Sequence, residues 1–123
     1  MLYEVKVPIL GFDKIKYMNI KKLDKDFSIL QIDKKDNTNM HMISSNSIKS
    51  FDIEFDESFL KKMQINKDTK ISFYFSIVIN NPVANSVVNL TAPIVVNEDK
   101  KLLGQYIIKK STSFFTTMSE LSI

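Results

Sequence analysis

Apolar and polar residues alternate with a period of two along most of the chain, the pattern of half-buried β-strands. In KISFYFSIVI, Ile71, Phe73, Phe75, Ile77 and Ile79 share one face, and Ser72, Tyr74, Ser76 and Val78 take the other. That run predicts a central core strand. FDIEF repeats the pattern in miniature, with Phe51, Ile53 and Phe55 inward and Asp52 and Glu54 outward. LLGQYII sets Leu102, Tyr106 and Ile108 on one face, with Gly104 between them where a bulge or a close backbone approach is expected. Shorter predicted strands cover residues 3–7, 15–20, 27–32 and 39–43.

VNLTAPIVVN poses a problem. Val88, Leu90, Ala92, Ile94 and Val96 alternate onto one face and Asn89, Thr91, Pro93 and Val95 onto the other, yet Pro93 has no N–H to give a sheet ladder. The strand must be bulged at Pro93 or lie at an edge there.

One interior helix is predicted, over residues 56–65. Asp56 caps it, Glu57 lies at its positive end and Lys61 and Lys62 at its negative end, and Phe59, Leu60 and Met63 share a face. The segment 111–123 changes character. Phe114, Met118 and Leu121 are spaced i, i+4, i+7 with Phe115 beside them, which predicts a marginal helix weakened by the surrounding Ser and Thr. The expected fold is therefore all-β: a small antiparallel bulged β-barrel with one short helix and a C-terminal helical turn. Residues 1–110 form the barrel domain and residues 111–123 the tail. The tail's apolar stripe must dock, either on its own barrel or on a partner.

Composition narrows the function. A chain of 123 residues suits one domain, and no apolar run approaches the roughly 20 residues that span a bilayer. The N-terminus lacks the features of a secretory signal and there is no cysteine, so a cytoplasmic, membrane-free protein is expected. The net charge is +3, but lysines alternate with acids in KKLDKD and IDKKDN, and arginine is absent. Direct nucleic-acid binding is not expected.

Chemical motifs are missing. Gly11 and Gly104, the only two glycines, build no phosphate-binding loop; His41, the single histidine, has no nucleophile or carboxylate beside it in NMHMI. Asp52, Glu54 and Asp56 read as solvated charges. No catalytic, cofactor-binding or metal-binding residues are assigned, and no enzymatic activity is expected.

PILGFDKIKYMNI, SFDIEFDESFLKKMQI, ISFYFSIVI, VNLTAPIVVN and LGQYII together resemble the bacterial flagellar assembly factor FliW family. Asn-Leu-x-Ala-Pro-Ile-Val-x-Asn followed by a Gly-Gln strand is the most specific part. In the first segment Gly11 and Phe12 would form a turn and its anchor. The resemblance implies a bulged barrel without enzymatic activity. It also implies two mutually exclusive partners, cytoplasmic flagellin and the RNA-binding translational regulator CsrA, exchanged as flagellin is exported. A chain of net charge +3 does not suit attraction of that basic regulator by long-range charge alone. Asn89 and Pro93 in the signature strand, with Phe114, Phe115, Met118 and Leu121 in the tail, are the candidate partner-binding residues, on a chain expected to be monomeric. The alternative is a small β-barrel adaptor, or a module for single-stranded nucleic acid or an apolar ligand; Phe51, Phe55, Phe73 and Phe75 fall on core faces, which disfavours stacking on bases.

Overall fold

The computed structural model describes residues 1–47, 53–108 and 115–118. It contains strands β1 (Leu2–Val7), β2 (Tyr17–Lys22), β3 (Phe27–Asp33) and β4 (Thr38–Ser44), then helix α1 (Glu57–Lys62). Strands β5 (Ile71–Val78), β6 (Val87–Asn97), β7 (Leu102–Gln105) and β8 (Phe115–Thr117) follow. Seven strands close a barrel: β5, β4, β3, β2, β1, β7 and β6 are neighbours in that order, and β6 pairs back onto β5.

The barrel is mixed rather than antiparallel throughout. β1 and β7 run parallel, with Glu4 opposite Leu102, Val5 opposite Leu103 and Val7 opposite Gly104. Strand number is the cause: directions that alternate around a ring match everywhere only if the count is even, and seven leaves one like-directed pair. The patterning predicted an eighth barrel strand at residues 51–55, but residues 53–55 form no strand. Instead Phe55 joins an aromatic group on the outer face, its ring 5.5 Å from Phe59, 5.0 Å from Tyr106 and 6.3 Å from Phe73.

Two cores result. Tyr3, Met18, Ile20, Leu30, Ile32, Met42, Tyr74, Ile94, Val96 and Leu103 form one buried cluster drawn from all seven strands, so it fills the lumen. Phe75, Ile43, Ile77, Val88 and Leu90 form a second, packed against Ile53 and Met118. Phe59 and Met63 of the helix region pack on Val95, Leu102 and Tyr106 in a third. The last two lie on the barrel's outer face, so β5 is covered on both sides, Tyr74 inward and Phe75 outward.

Helix α1 starts as its sequence directs, with the Asp56 carboxylate accepting from the Phe59 N–H at 2.8 Å. Its end is fixed by Asn97. That fully buried side chain donates to the Met63 carbonyl at 2.9 Å and the Gln64 carbonyl at 3.2 Å, and its oxygen accepts from the Lys100 N–H at 3.1 Å. Gly104 lies beneath this junction. A Cβ there would stand 2.7 Å from Met63 Sδ and 2.9 Å from Val7 Cβ, which confirms the expected close approach.

Pro93 sits in a bulge. Tyr74 pairs with Ile94 and Ser76 with Asn89, so Leu90, Thr91, Ala92 and Pro93 all lie opposite Phe75. Pro93 is buried, interrupts no β5 rung, and its carbonyl accepts from the Tyr106 N–H at 3.0 Å. The three extra residues are an odd number, so side chains change sides across the bulge. The single-face expectation for this strand is thereby corrected: Val88 and Leu90 face the outer core, Ile94 and Val96 the lumen.

The tail also departs from expectation. Phe115–Thr117 is strand rather than helix, pairing with Val87–Asn89 on the edge of β6 that β7 leaves free, and the Met118 N–H donates to the Ser86 carbonyl at 3.0 Å. The rest of the predicted helical stripe, Phe114 and Leu121, lies outside the described residues, as does Phe51.

Candidate functional site

The two ends of the barrel differ. At one end the β1–β2 connection crosses the opening. Gly11 adopts φ +91°, a conformation that favours glycine, and the Phe12 N–H closes a turn onto the Ile9 carbonyl at 2.8 Å. Phe12 packs against the lumen cluster, so the expected turn and anchor are present.

Beside this plug lies an apolar cleft of about 560 Å³, lined by Phe12, Ile32, residues 38–41 and 76–79, Val87 and Asn89. It exists because β4 and β5 part. Their pairing runs only from Ser44 opposite Tyr74 to Met42 opposite Ser76. Beyond that point β4 stays bonded to β3 and β5 to β6, so each keeps its outer ladder and turns an open edge toward the cleft. Val78 and Ile79 are 66% and 47% exposed there. Such a site suits an extended apolar segment, which supplies backbone partners to an edge and side chains to the floor. His41 is exposed on the rim.

The sequence candidates fall around this cleft unevenly. Asn89 lines it, half-buried, and its carboxamide oxygen accepts from the Thr91 N–H at 2.9 Å, which holds the start of the bulge. Pro93 is buried at the far end of the same bulge. Met118 packs, half-buried, on the outer core, and the backbone of Phe115 pairs opposite Asn89.

The opposite mouth, a depression of about 480 Å³, was not legible as a motif because its residues come from four separate stretches of sequence: Met1 and Tyr3, Ile20 and Lys22, Lys70 and Tyr74, and Glu98, Asp99 and Lys101. Glu98 accepts from the Tyr3 hydroxyl at 2.9 Å and the Ser72 hydroxyl at 3.0 Å. Burial, followed by that bond and the Glu98 charge, pushes the Tyr3 hydroxyl well above the usual tyrosine range; burial and then the Glu98 charge raise Tyr74.

Among the described residues no cluster of His, Asp or Glu has the arrangement of a metal site. No helix among them is long and apolar enough to cross a membrane. A closed barrel with an apolar cleft between two open strand edges defines a small mixed β-barrel protein. Comparison with known proteins resolves this further. The FliW protein family model matches residues 1–118. The flagellar assembly factor FliW of Campylobacter lari is 36% identical over 113 residues, covering 90% of this chain and 86% of that one. Its counterpart in Sulfurimonas denitrificans is 26% identical over 114 residues, covering 93% and 90%. A crystal structure of the flagellar assembly factor FliW superposes with a TM-score of 0.85 at 24% identity, over 95% of this chain and 84% of that one, which supports the fold. The chain belongs to the FliW family of flagellar assembly factors, which are not enzymes.

Proposed function

We propose that this protein binds newly made flagellin in the cytoplasm and, once flagellin has been exported, binds CsrA and relieves its repression of translation. Membership of the assembly-factor family supports the reading. The observation that carries it is the apolar cleft between the open edges of β4 and β5, a surface of the size and chemistry that a segment of another polypeptide needs. The exchange requires only that the two complexes compete, by overlap or by coupling between sites. Asn89 borders the cleft, and the tail residues Phe114, Phe115, Met118 and Leu121 are the proposed contacts for the second partner.

The test is capture of each partner by the purified chain, alone and in competition, with Val78→Asp as the cleft variant. Val78 is exposed, so the fold should survive while capture of the partner that uses the cleft falls at least about tenfold. Retention of neither flagellin nor CsrA by the unmodified chain would refute the proposal.

A further inference from the structure

We infer that the mouth opposite the cleft is a second binding site, one that takes a carboxylate presented by an acidic peptide. Its hydrogen-bonding inventory carries the inference. Both carboxylates at the mouth are already engaged: Glu98 holds the Tyr3 and Ser72 hydroxyls, and Asp99 accepts from the Lys70 backbone N–H at 3.0 Å. The donors are not. Tyr74 is only 5% exposed and lines the depression, and its hydroxyl has no hydrogen-bond partner among the described residues. The ammonium groups of Lys22, Lys70 and Lys101 ring the opening and form no ion pair among those residues, although Lys101 lies over the Tyr3 ring at 5.9 Å from its centroid. Spare donors around engaged acceptors call for an anion.

A carboxylate seated here would accept from the Tyr74 hydroxyl at the floor and from the lysines at the rim. Burial keeps that hydroxyl protonated at neutral pH, and therefore a donor. The Glu98 carboxylate, fixed by two hydroxyls, also sets selectivity: it repels a compact multivalent anion more strongly than a single carboxylate on a peptide. The site lies at the other end of the barrel from the cleft, so it does not depend on which partner the cleft holds.

Proton–nitrogen NMR of the full chain tests this with three probes: a capped peptide rich in Glu, an uncharged peptide with a free C-terminus, and inorganic phosphate. Saturable shifts confined to Tyr3, Ser72, Tyr74 and the mouth lysines with the capped acidic peptide would support side-chain carboxylates as the ligand. The same shifts with the uncharged peptide alone would support a terminal carboxylate. Tyr74→Phe, which deletes one oxygen, should weaken the supported interaction about tenfold. Lys101→Gln, at an exposed position, should weaken it as well, which keeps the test valid if the tyrosine variant is unstable. Saturation by phosphate alone, no response up to about 5 mM of either peptide, or affinity unchanged in both variants would overturn the proposal.

Discussion

Replacing Asn97 by Leu tests whether the end of helix α1 is locked to the barrel by one side chain. The two side chains have the same number of heavy atoms branched at the same position, so the change removes hydrogen bonds without opening a cavity. Three bonds go. The Met63 carbonyl loses a buried donor at 2.9 Å, the Gln64 carbonyl a partly buried one at 3.2 Å, and the Lys100 N–H loses its acceptor at 3.1 Å. An orphaned buried polar group costs about 1–3 kcal/mol, whereas a group that water reaches costs little. With Met63 fully buried and Lys100 exposed, the expected loss is about 2–4 kcal/mol. That is a large share of the roughly 5–15 kcal/mol that holds a domain. Urea unfolding followed by circular dichroism reads it as a lower midpoint at unchanged slope. Lys100→Ala is the control: it deletes only the exposed bond from the Lys100 ammonium to Gln64 Oε1 at 2.9 Å and should change stability by less than about 0.5 kcal/mol. A loss below about 1 kcal/mol for Asn97→Leu, or equal losses for the two variants, would show that the lock does not operate.

Other perturbations probe the rest of the frame. Gly104→Ala forces its new methyl group against Val7 and Met63 and should cost about 1–3 kcal/mol, measured by the same unfolding assay. Phe75→Ala, at a fully buried position, should cost about 3–5 kcal/mol; a value below about 1 kcal/mol would remove it from the outer core. Tyr3 and Tyr74 have hydroxyls raised in the folded state, so their contribution to stability is fully present below the ordinary tyrosine value near 10 and is lost as pH rises from there through the raised folded-state values. Ultraviolet titration should show their ionisation delayed until alkaline unfolding, and Tyr3→Phe should lessen the alkaline loss of stability.

Much of the frame was readable from alternation, and each failure has a physical cause. Strands β1 to β7, the Asp56 cap and the crowding at Gly104 all follow from local pattern. Residues 53–55 misled because an extended segment lying across an apolar surface buries alternate residues just as a barrel strand does, and nothing in the sequence there marks the absence of a ladder partner. The stripe Phe114, Met118, Leu121 suggested a helix, but at residues 115–117 the β-branched Thr116 and Thr117 suit the free edge of β6 better. The lock at Asn97 was not readable, since its carbonyl partners lie more than thirty positions away. The acceptors and donors of the polar mouth were scattered for the same reason. Of the candidate contacts, Asn89 borders the cleft and holds the start of the bulge, and Pro93 was informative about backbone geometry rather than exposure.

The bulge at residues 90–93 ties these observations together. Alternation says which residues share a face only while the phase is unbroken, and an insertion of three residues breaks it. Had the insertion been even, Val88 and Leu90 would have stayed in phase with Ile94 and Val96 and pointed into the lumen, leaving the outer core without two of its buried members. An odd insertion lets one strand serve two cores. It also divides the edge of β6: residues 94–97 bond to β7 and residues 87–89 to β8, and between them the bulge carbonyls of Pro93 and Thr91 accept from the Tyr106 and Ile108 N–H groups at 3.0 and 2.9 Å. Pro93 suits that stretch because it has no N–H to offer the β5 ladder that is interrupted there. Its place in the sequence therefore reports a change of partner along one strand, and that change is what leaves an edge free for the tail.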